Sequence, residues 1–109
     1  AYFHSASNLK VIVDRNGIQN DDFLRVQMEI GDITAKFSAF GWSVKEIDGH
    51  SMPEIISALD WAAGITDGPC AIIAHTVKGK GVSFMEGNPS FHGKAPTDDE
   101  LRIALGELS

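Results

Sequence analysis

The chain has 109 residues, about the size of one domain. Its nine basic and fifteen acidic residues give a net charge of −6, which argues against binding to nucleic acid or to an anionic membrane. The single cysteine, Cys70, excludes an internal disulfide and is typical of a reducing compartment, so we expect a cytoplasmic protein. No apolar run approaches the ~18 residues of a membrane-spanning helix.

The first residues, AYFHSASN, lack an initiator Met and the residue order of a signal peptide. We expect them to be the end of a helix that starts upstream, and the chain to be a piece of a larger protein. Leu9–Asp14 is a short β-branched run before an Asn-Gly turn, which predicts a buried strand. Residues 15–30 show little periodicity and predict a loop.

A helix and a second strand follow. Between Asp32 and Gly41, apolar residues recur at helical spacing and a glycine ends the pattern. Trp42–Asp48 alternates apolar and polar residues, which predicts a less enclosed strand. Ser51 and Glu54 have the spacing of a capping box and predict the start of a second helix. Its inward face is expected to contain Ile55, Leu59, Ala62 and Ala63.

Cys70–Val77 is an almost continuous apolar run, as expected for a strand that is covered on both faces. A loop rich in glycine and lysine follows it, Lys78–Pro96. Thr97 and Glu100 predict another capping box at the start of a terminal helix. The inward face of that helix is expected to contain Leu101, Ala104, Leu105 and Leu108.

Strands that alternate with helices predict an α/β fold with parallel strands and right-handed crossovers. We expect a partial doubly wound parallel sheet of about three strands with flanking helices, because a complete domain of this type has more strands. In such sheets, ligands bind outside the carboxyl ends of the strands. The segments expected at that edge are Asp14–Asp21, Asp48–His50 and Lys78–Lys94.

The first of these segments contains DRNGI, which offers oxygen ligands. Asn16 can direct its amide oxygen into the crevice, Gly17 allows a sharp turn, and Ile18 can present its carbonyl on the same side. Such oxygens suit Mg²⁺ or Ca²⁺ when a carboxylate and phosphate oxygens complete the shell. A polar turn with local hydrogen bonds explains the same residues, and on their own they favour the turn.

The long loop contains several cationic residues. Lys78 and Lys80 are separated by glycine after a buried strand, which resembles a phosphate-binding loop without the spacing of a P-loop. His92 and Lys94 could bind phosphate or hydroxyl oxygens. The alternative is a solvated surface loop, although structureless loops of this length in compact domains are usually functional or disordered. Its apolar residues are Phe84, Met85 and Phe91, which a disordered linker would not need.

Other polar residues have simpler explanations. Asp48-Gly49-His50 is more typical of a turn than of a metal site. His75 lies within a predicted strand, which favours a hydrogen-bonded core histidine. Cys70 begins a buried strand with no base beside it in sequence, so we do not expect a nucleophile.

Three segments of the chain together resemble transketolase: VIVDRNGIQND, FGWSVKEIDGH and AHTVKGKGVSFMEGNPSFHGKAP. They are similar to the second half of its N-terminal thiamine-diphosphate-binding domain, which some bacteria encode as a separate subunit. The resemblance extends over essentially the whole chain. It therefore implies that residues 1–109 are a partial thiamine-diphosphate-binding domain.

The resemblance implies that thiamine diphosphate binds through a divalent metal, Mg²⁺ or else Ca²⁺ or Mn²⁺. Family members bind that metal with the Asp of a Gly-Asp-Gly segment, an Asn side chain and a carbonyl two residues further on. The last two correspond to Asn16 and Ile18, and the Asp is expected upstream of residue 1. By the same matching, Asn16, Lys78 and His92 bind the cofactor. His92 is also the implied catalytic residue, and His92 and Lys94 contact the substrate.

The implied reaction moves a two-carbon ketol unit from a ketose phosphate to an aldose phosphate. Activation of the cofactor in this family needs a glutamate from another domain, so the chain alone is expected to be inactive. Its expected partners are sugar phosphates and the remainder of the transketolase chain or a C-terminal subunit. The intact enzyme would be a homodimer or a heterotetramer, with no nucleic acid and no membrane. Asn20 and Asp21-Asp22 depart from the family pattern and leave the sugar specificity open.

Two other functions are compatible with parts of the sequence, and a third conflicts with it. One is a related thiamine-diphosphate enzyme, such as deoxyxylulose-phosphate synthase or dihydroxyacetone synthase. Another is a non-catalytic phosphate-binding α/β module. The third, a receiver-like signalling module, would need more strands and a phosphoacceptor Asp after the third strand, where this chain has His-Thr-Val-Lys.

Overall fold

The computed structural model describes residues 1–4, 6–19, 22–23 and 30–109. In chain order its elements are β1 Lys10–Arg15, β2 Ile18–Gln19, β3 Asp22–Phe23, α1 Ile33–Ala39, β4 Ser43–Asp48, α2 Met52–Gly64, β5 Cys70–His75 and α3 Asp98–Glu107. The chain divides into two compact units. One unit contains Ala1–Arg15 and Ile30–Thr76, and the other contains Asn16–Glu29 and Val77–Ser109.

The first unit contains a three-stranded parallel sheet in the order β1-β5-β4. The central strand, β5, is buried from Cys70 to Ala74, as its continuous apolar sequence predicts. The helices α1 and α2 lie against β4, and α2 also contacts β5. The predicted α/β class with parallel strands is therefore confirmed.

The carboxyl ends of the three strands lie side by side. Arg15 and Asp48 are both in register with His75 of the central strand. The pairing continues one residue beyond the strands, because the N–H of Gly49 donates to the His75 carbonyl at 2.8 Å. The N–H of Thr76 likewise donates to the Arg15 carbonyl at 3.4 Å. The first unit thus has the aligned strand ends that the α/β pattern predicts.

The prediction that the first strand is buried was wrong. Alternate residues of β1 are exposed, and Ile12 is 62% exposed. Within the described residues β1 pairs only with β5, so one face and one edge of the strand remain uncovered. A β-branched composition alone does not distinguish an edge strand from a central one.

The predicted first helix is confirmed as α1. The Asp32 carboxylate accepts from the Ala35 N–H at 2.8 Å, which satisfies one of the free donors at the helix start. Gly41 follows the helix with φ +79°, a conformation that glycine adopts without steric cost. The second strand is also confirmed, as β4.

The capping-box prediction for the second helix was wrong. The Ser51 side chain makes no capping hydrogen bond. The Glu54 carboxylate instead accepts from the Asp48 N–H at 2.9 Å, and so does not complete the box. The box predicted for α3 is confirmed, because the Thr97 hydroxyl accepts from the Glu100 N–H and the Glu100 carboxylate accepts from the Thr97 N–H. The hydrogen bond from the Thr97 N–H to the Glu100 carboxylate lowers the pKa of the Glu100 carboxyl.

The core of the first unit is formed by small and β-branched side chains. It consists of Ile47, Ala58, Ala62, Cys70, Ile72 and Ala74. Of the predicted inward face of α2, Ala62 is buried and Ile55 is partly buried, whereas Leu59 is exposed. In α3 only Ala104 is buried, and the three predicted leucines are exposed. Leucines at helical spacing therefore predicted more buried residues in both helices than the structure has.

The N-terminal segment contains a 3-10 turn, and the helix expected upstream of it stays a prediction. Tyr2–His4 forms a single 3-10 turn, in which the His4 N–H donates to the Ala1 carbonyl at 3.1 Å.

Throughout the described part of the chain, no helix combines the length and the apolar character that a membrane span requires.

The two capping patterns give a matched test of side-chain capping. We expect Thr97→Ala to lower the free energy of unfolding by about 1 kcal/mol, because the Glu100 N–H loses its acceptor. Ser51→Ala should cost clearly less, since Ser51 makes no such bond. Urea denaturation of the intact protein measures both changes. Equal losses for the two variants would contradict the assignment of the two caps.

Candidate functional site

Asn16 directly follows β1 and belongs to the second unit. Its side-chain oxygen accepts from the Ile18 N–H at 2.9 Å. Gly17, between them, has φ +73° and open space around its α-carbon. The local hydrogen bond of an ordinary polar turn is therefore present.

That turn does not prevent metal binding. An amide oxygen has two lone pairs, so the oxygen of Asn16 can accept from Ile18 and still bind a cation. Ile18 continues into β2, which pairs with β3 through Ile18 and Phe23. The Asn16 amide oxygen and the Ile18 carbonyl oxygen are both hard ligands, the kind that Mg²⁺ and Ca²⁺ prefer. The predicted metal role of Asn16 and Ile18 fits the structure and stays a prediction.

The described residues contain no cluster of the usual metal-binding side chains. Among residues 1–4, 6–19, 22–23 and 30–109, no group of three or more His, Cys, Asp or Glu side chains could hold a metal ion. Two oxygens are fewer than the six or more that Mg²⁺ or Ca²⁺ takes, so a metal bound by Asn16 and Ile18 would need further oxygen ligands. This requirement agrees with the expectation that a carboxylate and phosphate oxygens complete the shell.

The loop that follows β5 closes on itself. The Gly87 N–H donates to the Lys78 carbonyl at 2.8 Å, and Val82 between them is only 6% exposed. The Lys80 ammonium lies 3.2 Å from the Glu86 carboxylate. In the described part of the chain, by contrast, the half-buried Lys78 ammonium has no hydrogen bond or ion pair. Of the two lysines, Lys78 is therefore the one whose charge is available to an anionic ligand.

A close backbone approach holds this loop in shape. Gly79 has φ +73°, and a β-carbon at this position would lie 2.6 Å from the Met85 carbonyl oxygen. Real β-carbons essentially never approach an oxygen so closely, and a backbone oxygen cannot swing away as a long side chain can. Glycine at position 79 is thus required by both the backbone conformation and the space.

One residue of this unit was missed by sequence reasoning. The Glu107 carboxylate accepts from both the Ser83 hydroxyl at 2.6 Å and the Ser83 N–H at 2.7 Å. The hydroxyl bond, followed by the N–H bond, lowers the pKa of the Glu107 carboxyl. A possible signal in the sequence was an acidic residue in the last turn of a helix, where the helix dipole disfavours it.

His92 and Lys94 follow the 3-10 turn Pro89–Phe91. The His92 N–H donates to the Pro89 carbonyl at 2.9 Å, while the exposed imidazole extends beyond the turn. The Lys94 ammonium lies 4.8 Å from the centroid of the Phe91 ring, close enough for a cation–π contact. Phe91 also packs against Phe84 with 5.4 Å between ring centroids, which confirms that the loop has apolar anchors.

All five predicted site residues belong to the second unit. Within that unit, β3 lies against the 3-10 turn that precedes His92. Asn16 and Ile18 are joined by a hydrogen bond, but among the described residues none links Asn16, Lys78 and His92 directly. Their shared role in binding a cofactor and substrate stays a prediction. Asn20 and Asp21, where the chain departs from the family pattern, lie outside the described residues.

His75 is hydrogen-bonded as predicted, but it is not in the core. Its side chain is 44% exposed and lies 2.6 Å from the Glu46 carboxylate. The Thr34 hydroxyl also donates to Glu46 at 2.6 Å. These two bonds, that of Thr34 first, lower the pKa of the Glu46 carboxyl. No substrate role follows from this surface network.

Asp48-Gly49-His50 and Cys70 are placed as the sequence predicts, in a turn and at the start of a buried strand, and the roles expected of them stay predictions. The Asp48 carboxylate accepts from the His50 N–H at 2.8 Å, which is the local bond of a turn. Cys70 is a free cysteine buried at the start of β5.

The first unit has an α/β fold with a parallel sheet, and a glycine- and lysine-rich loop follows its central strand in the sequence. In α/β sheets of this kind, ligands bind outside the carboxyl ends of the strands. Residues 2–108 match the family model described as transketolase, thiamine diphosphate binding domain. The chain belongs to this family. The resemblance to transketolase is thereby confirmed, and the receiver-like alternative is set aside.

Individual proteins with similar sequences are also transketolase subunits. The chain is 35% identical over 106 residues to an apulose-4-phosphate transketolase subunit of Phocaeicola vulgatus, covering 97% of this chain and 38% of that protein. It is 36% identical over 101 residues to the 6-deoxy-6-sulfo-D-fructose transketolase subunit SqwG of a Clostridium species, covering 93% of this chain and 37% of that protein. Both relatives are parts of transketolases, which are transferases.

A solved structure shows the same fold. The transketolase of Campylobacter jejuni superposes with a TM-score of 0.73 at 26% identity, covering 98% of this chain and 21% of that one. The α/β fold expected from the sequence, with a three-stranded parallel sheet and flanking helices, is therefore confirmed. The chain spans well under half the length of each of these relatives.

Proposed function

We propose that this chain is the metal- and diphosphate-binding part of a thiamine-diphosphate-dependent transketolase. The reaction would transfer a two-carbon ketol unit from a ketose phosphate to an aldose phosphate. The observation that carries the proposal is the match of residues 2–108 to the thiamine diphosphate binding domain of transketolase. In this proposal residues 1–109 are a partial domain, completed by the rest of a longer chain or by a partner.

Asn16 and Ile18 would bind the divalent metal, Mg²⁺ or else Ca²⁺ or Mn²⁺. The Asn16 oxygen is held in place by the Ile18 N–H, so it need not be ordered when the cation binds. A cation there is needed for electrostatic reasons. The chain has a net charge of −6, and the cofactor diphosphate adds further negative charge.

Lys78 and His92 would bind the diphosphate, and His92 and Lys94 the substrate. Lys78 is favoured over Lys80 because Glu86 already pairs with the Lys80 ammonium. His92 is proposed as the catalytic residue, since its exposed imidazole can hold or release a proton beside a phosphate or hydroxyl oxygen. The Phe91 ring beneath the Lys94 ammonium would hold that cation near His92.

When bound, thiamine diphosphate supplies the nucleophilic carbon and the electron sink of the reaction. This chain would anchor and orient its diphosphate end. None of these residues provides the activating glutamate of the family, which is proposed to come from another domain. Asn16, Ile18 and Lys78 therefore act in binding, and the chain without its partner is expected to be inactive.

The proposed partner is the remainder of a transketolase chain or a C-terminal subunit, in a homodimer or a heterotetramer. Two relatives are named as single subunits of transketolases, which supports the form with two kinds of chain. Their names specify apulose 4-phosphate and 6-deoxy-6-sulfo-D-fructose. We propose that the substrate is a ketose with an anionic terminus. The proposed location of the enzyme is the cytoplasm.

A test of the metal site uses Asn16→Ala in the intact enzyme, with Asn8→Ala as the matched control. Asn8 is exposed and lies in the other unit. We expect Asn16→Ala to weaken Mg²⁺-dependent cofactor binding roughly tenfold or more, which equals the loss of about 1.4 kcal/mol. Calorimetric titration of thiamine diphosphate at several Mg²⁺ concentrations measures the change. Unchanged binding in Asn16→Ala would refute the metal role.

The same preparation separates the alternative functions. Ketol transfer between sugar phosphates supports transketolase. Cofactor binding without that transfer would favour a related enzyme, such as deoxyxylulose-phosphate or dihydroxyacetone synthase. An intact protein that binds phosphate compounds but no thiamine diphosphate would favour a non-catalytic module.

A further inference from the structure

Glu107 lies in the last turn of α3, where a negative charge is electrostatically unfavourable. The C-terminal end of a helix carries a partial negative charge from its unpaired carbonyl groups. The last turn of α3 contains no basic residue to offset it. Hydrogen-bond donors from outside the helix would offset this unfavourable interaction.

Ser83 supplies those donors. Its N–H and its hydroxyl reach the two oxygens of the Glu107 carboxylate at 2.7 and 2.6 Å. The two residues are 24 positions apart in the sequence, so the pair joins the loop after β5 to the end of the helix. Two parallel bonds to one ionised carboxylate are stronger and more directional than two neutral ones.

Residues near Ser83 and Glu107 also bring the loop and the helix together. A β-carbon at Gly81 would approach the Leu108 side chain to 3.1 Å, so the loop backbone lies directly against the end of α3. Val82 is buried, whereas Ser83 is exposed apart from its bonds to Glu107. The loop is therefore attached to the helix at its middle and closed at its ends by the bond from Gly87 to Lys78.

We propose that Glu107 is a positioning residue, which holds the Lys78 loop in its binding conformation through Ser83. The inference rests on the proposed function in one respect, namely that Lys78 binds the cofactor diphosphate. Glu107 itself contacts Ser83 and not the cofactor. Its contribution is to limit the conformations of residues 78–87, so that less ordering is needed when the diphosphate binds.

The experiment uses the intact enzyme and two readouts. Trypsin can cleave after Lys78 and Lys80, so the initial cleavage rate at these bonds without cofactor reports how often the loop opens. For Glu107→Ala we expect that rate to rise roughly tenfold. The dissociation constant of thiamine diphosphate should rise roughly three- to tenfold. Glu107→Gln retains one acceptor oxygen and should give a smaller change in the same direction.

Two control variants separate positioning from general destabilisation. Asp98→Asn removes the same charge from the first turn of α3 and should leave cleavage after Lys78 and Lys80 unchanged. Ser83→Thr keeps both donors and should retain wild-type behaviour in both readouts. Cleavage after Lys10 and Lys36, in the other unit, should stay at the wild-type rate in every variant.

Each failure has a distinct signature. Wild-type cleavage at Lys78 and Lys80 in Glu107→Ala would overturn the inference, whatever the cofactor does. Faster cleavage with unchanged cofactor affinity would also overturn it, because the loop conformation would then not matter for binding. A wild-type enzyme that binds no thiamine diphosphate would overturn the proposed function, and with it the link from Glu107 to the cofactor.

Discussion

Replacing Lys78 by Met is expected to weaken thiamine diphosphate binding by roughly 10- to 150-fold. The substitution keeps an unbranched stem of similar length and removes an ammonium that has no partner within the described residues. A hydrogen bond to a charged group contributes about 1.5–3 kcal/mol, and each 1.4 kcal/mol changes affinity about tenfold. Calorimetric titration with saturating Mg²⁺ measures the effect without requiring catalysis.

Lys80→Met is the matched control for this prediction. Lys80 is two residues away in the same loop, but its ammonium already pairs with Glu86 at 3.2 Å. Both side chains of that pair are substantially exposed, so its loss should cost at most about 1 kcal/mol of stability. Cofactor affinity in Lys80→Met should stay within about threefold of wild type. A larger loss in Lys80→Met than in Lys78→Met would reverse the assignment.

The second large effect is expected from Gly79→Ala, which should destabilise the protein by about 2–5 kcal/mol. An alanine at φ +73° is strained, and its β-carbon would lie 2.6 Å from the Met85 carbonyl oxygen. Relief of that contact requires the backbone of the loop to shift. Because Lys78 adjoins Gly79, cofactor affinity should fall together with stability, and urea denaturation and calorimetry measure the two effects separately.

Gly87→Ala controls for the backbone conformation alone. Gly87 has φ +65°, and nothing lies within 4 Å of a β-carbon at that position. Its substitution should cost only the strain of the left-handed conformation, about 1–2 kcal/mol. The difference between the two variants therefore measures the steric contact with Met85. If Gly79→Ala were no more destabilising than Gly87→Ala, the close packing of the loop would be disproved.

Much of the fold was predictable because its signals are local. The apolar run at Cys70–Val77 predicted the buried central strand, and β5 is observed at Cys70–His75. Asp32 and Gly41 predicted the two ends of α1. Hydrophobic periodicity and capping residues act over a few positions, and so they can be recognised without knowledge of distant contacts.

One prediction failed because a residue outside the helix competed for the same carboxylate. Ser51 and Thr97 are each followed three positions later by glutamate, yet only Thr97 forms a capping box. The Glu54 carboxylate binds the Asp48 N–H instead, a contact that exists only once β4 and α2 are packed together. A second prediction failed in α2, where Ala58 and Ala62 are buried against the sheet and Leu59 is exposed.

By itself, the sequence determined the α/β class, the family and the set of candidate site residues, because strand runs, turn residues and motifs are properties of the order of amino acids. Only the tertiary structure decided which of those residues are available. Lys78 and Lys80 are equivalent in sequence, but the fold places Glu86 beside one ammonium and not the other. The fold also brings Glu107 to Ser83, and this contact restrains the loop that contains Lys78. The sequence could mark Glu107 as unusual at the end of a helix, but which residue pairs with it depends on how the chain packs.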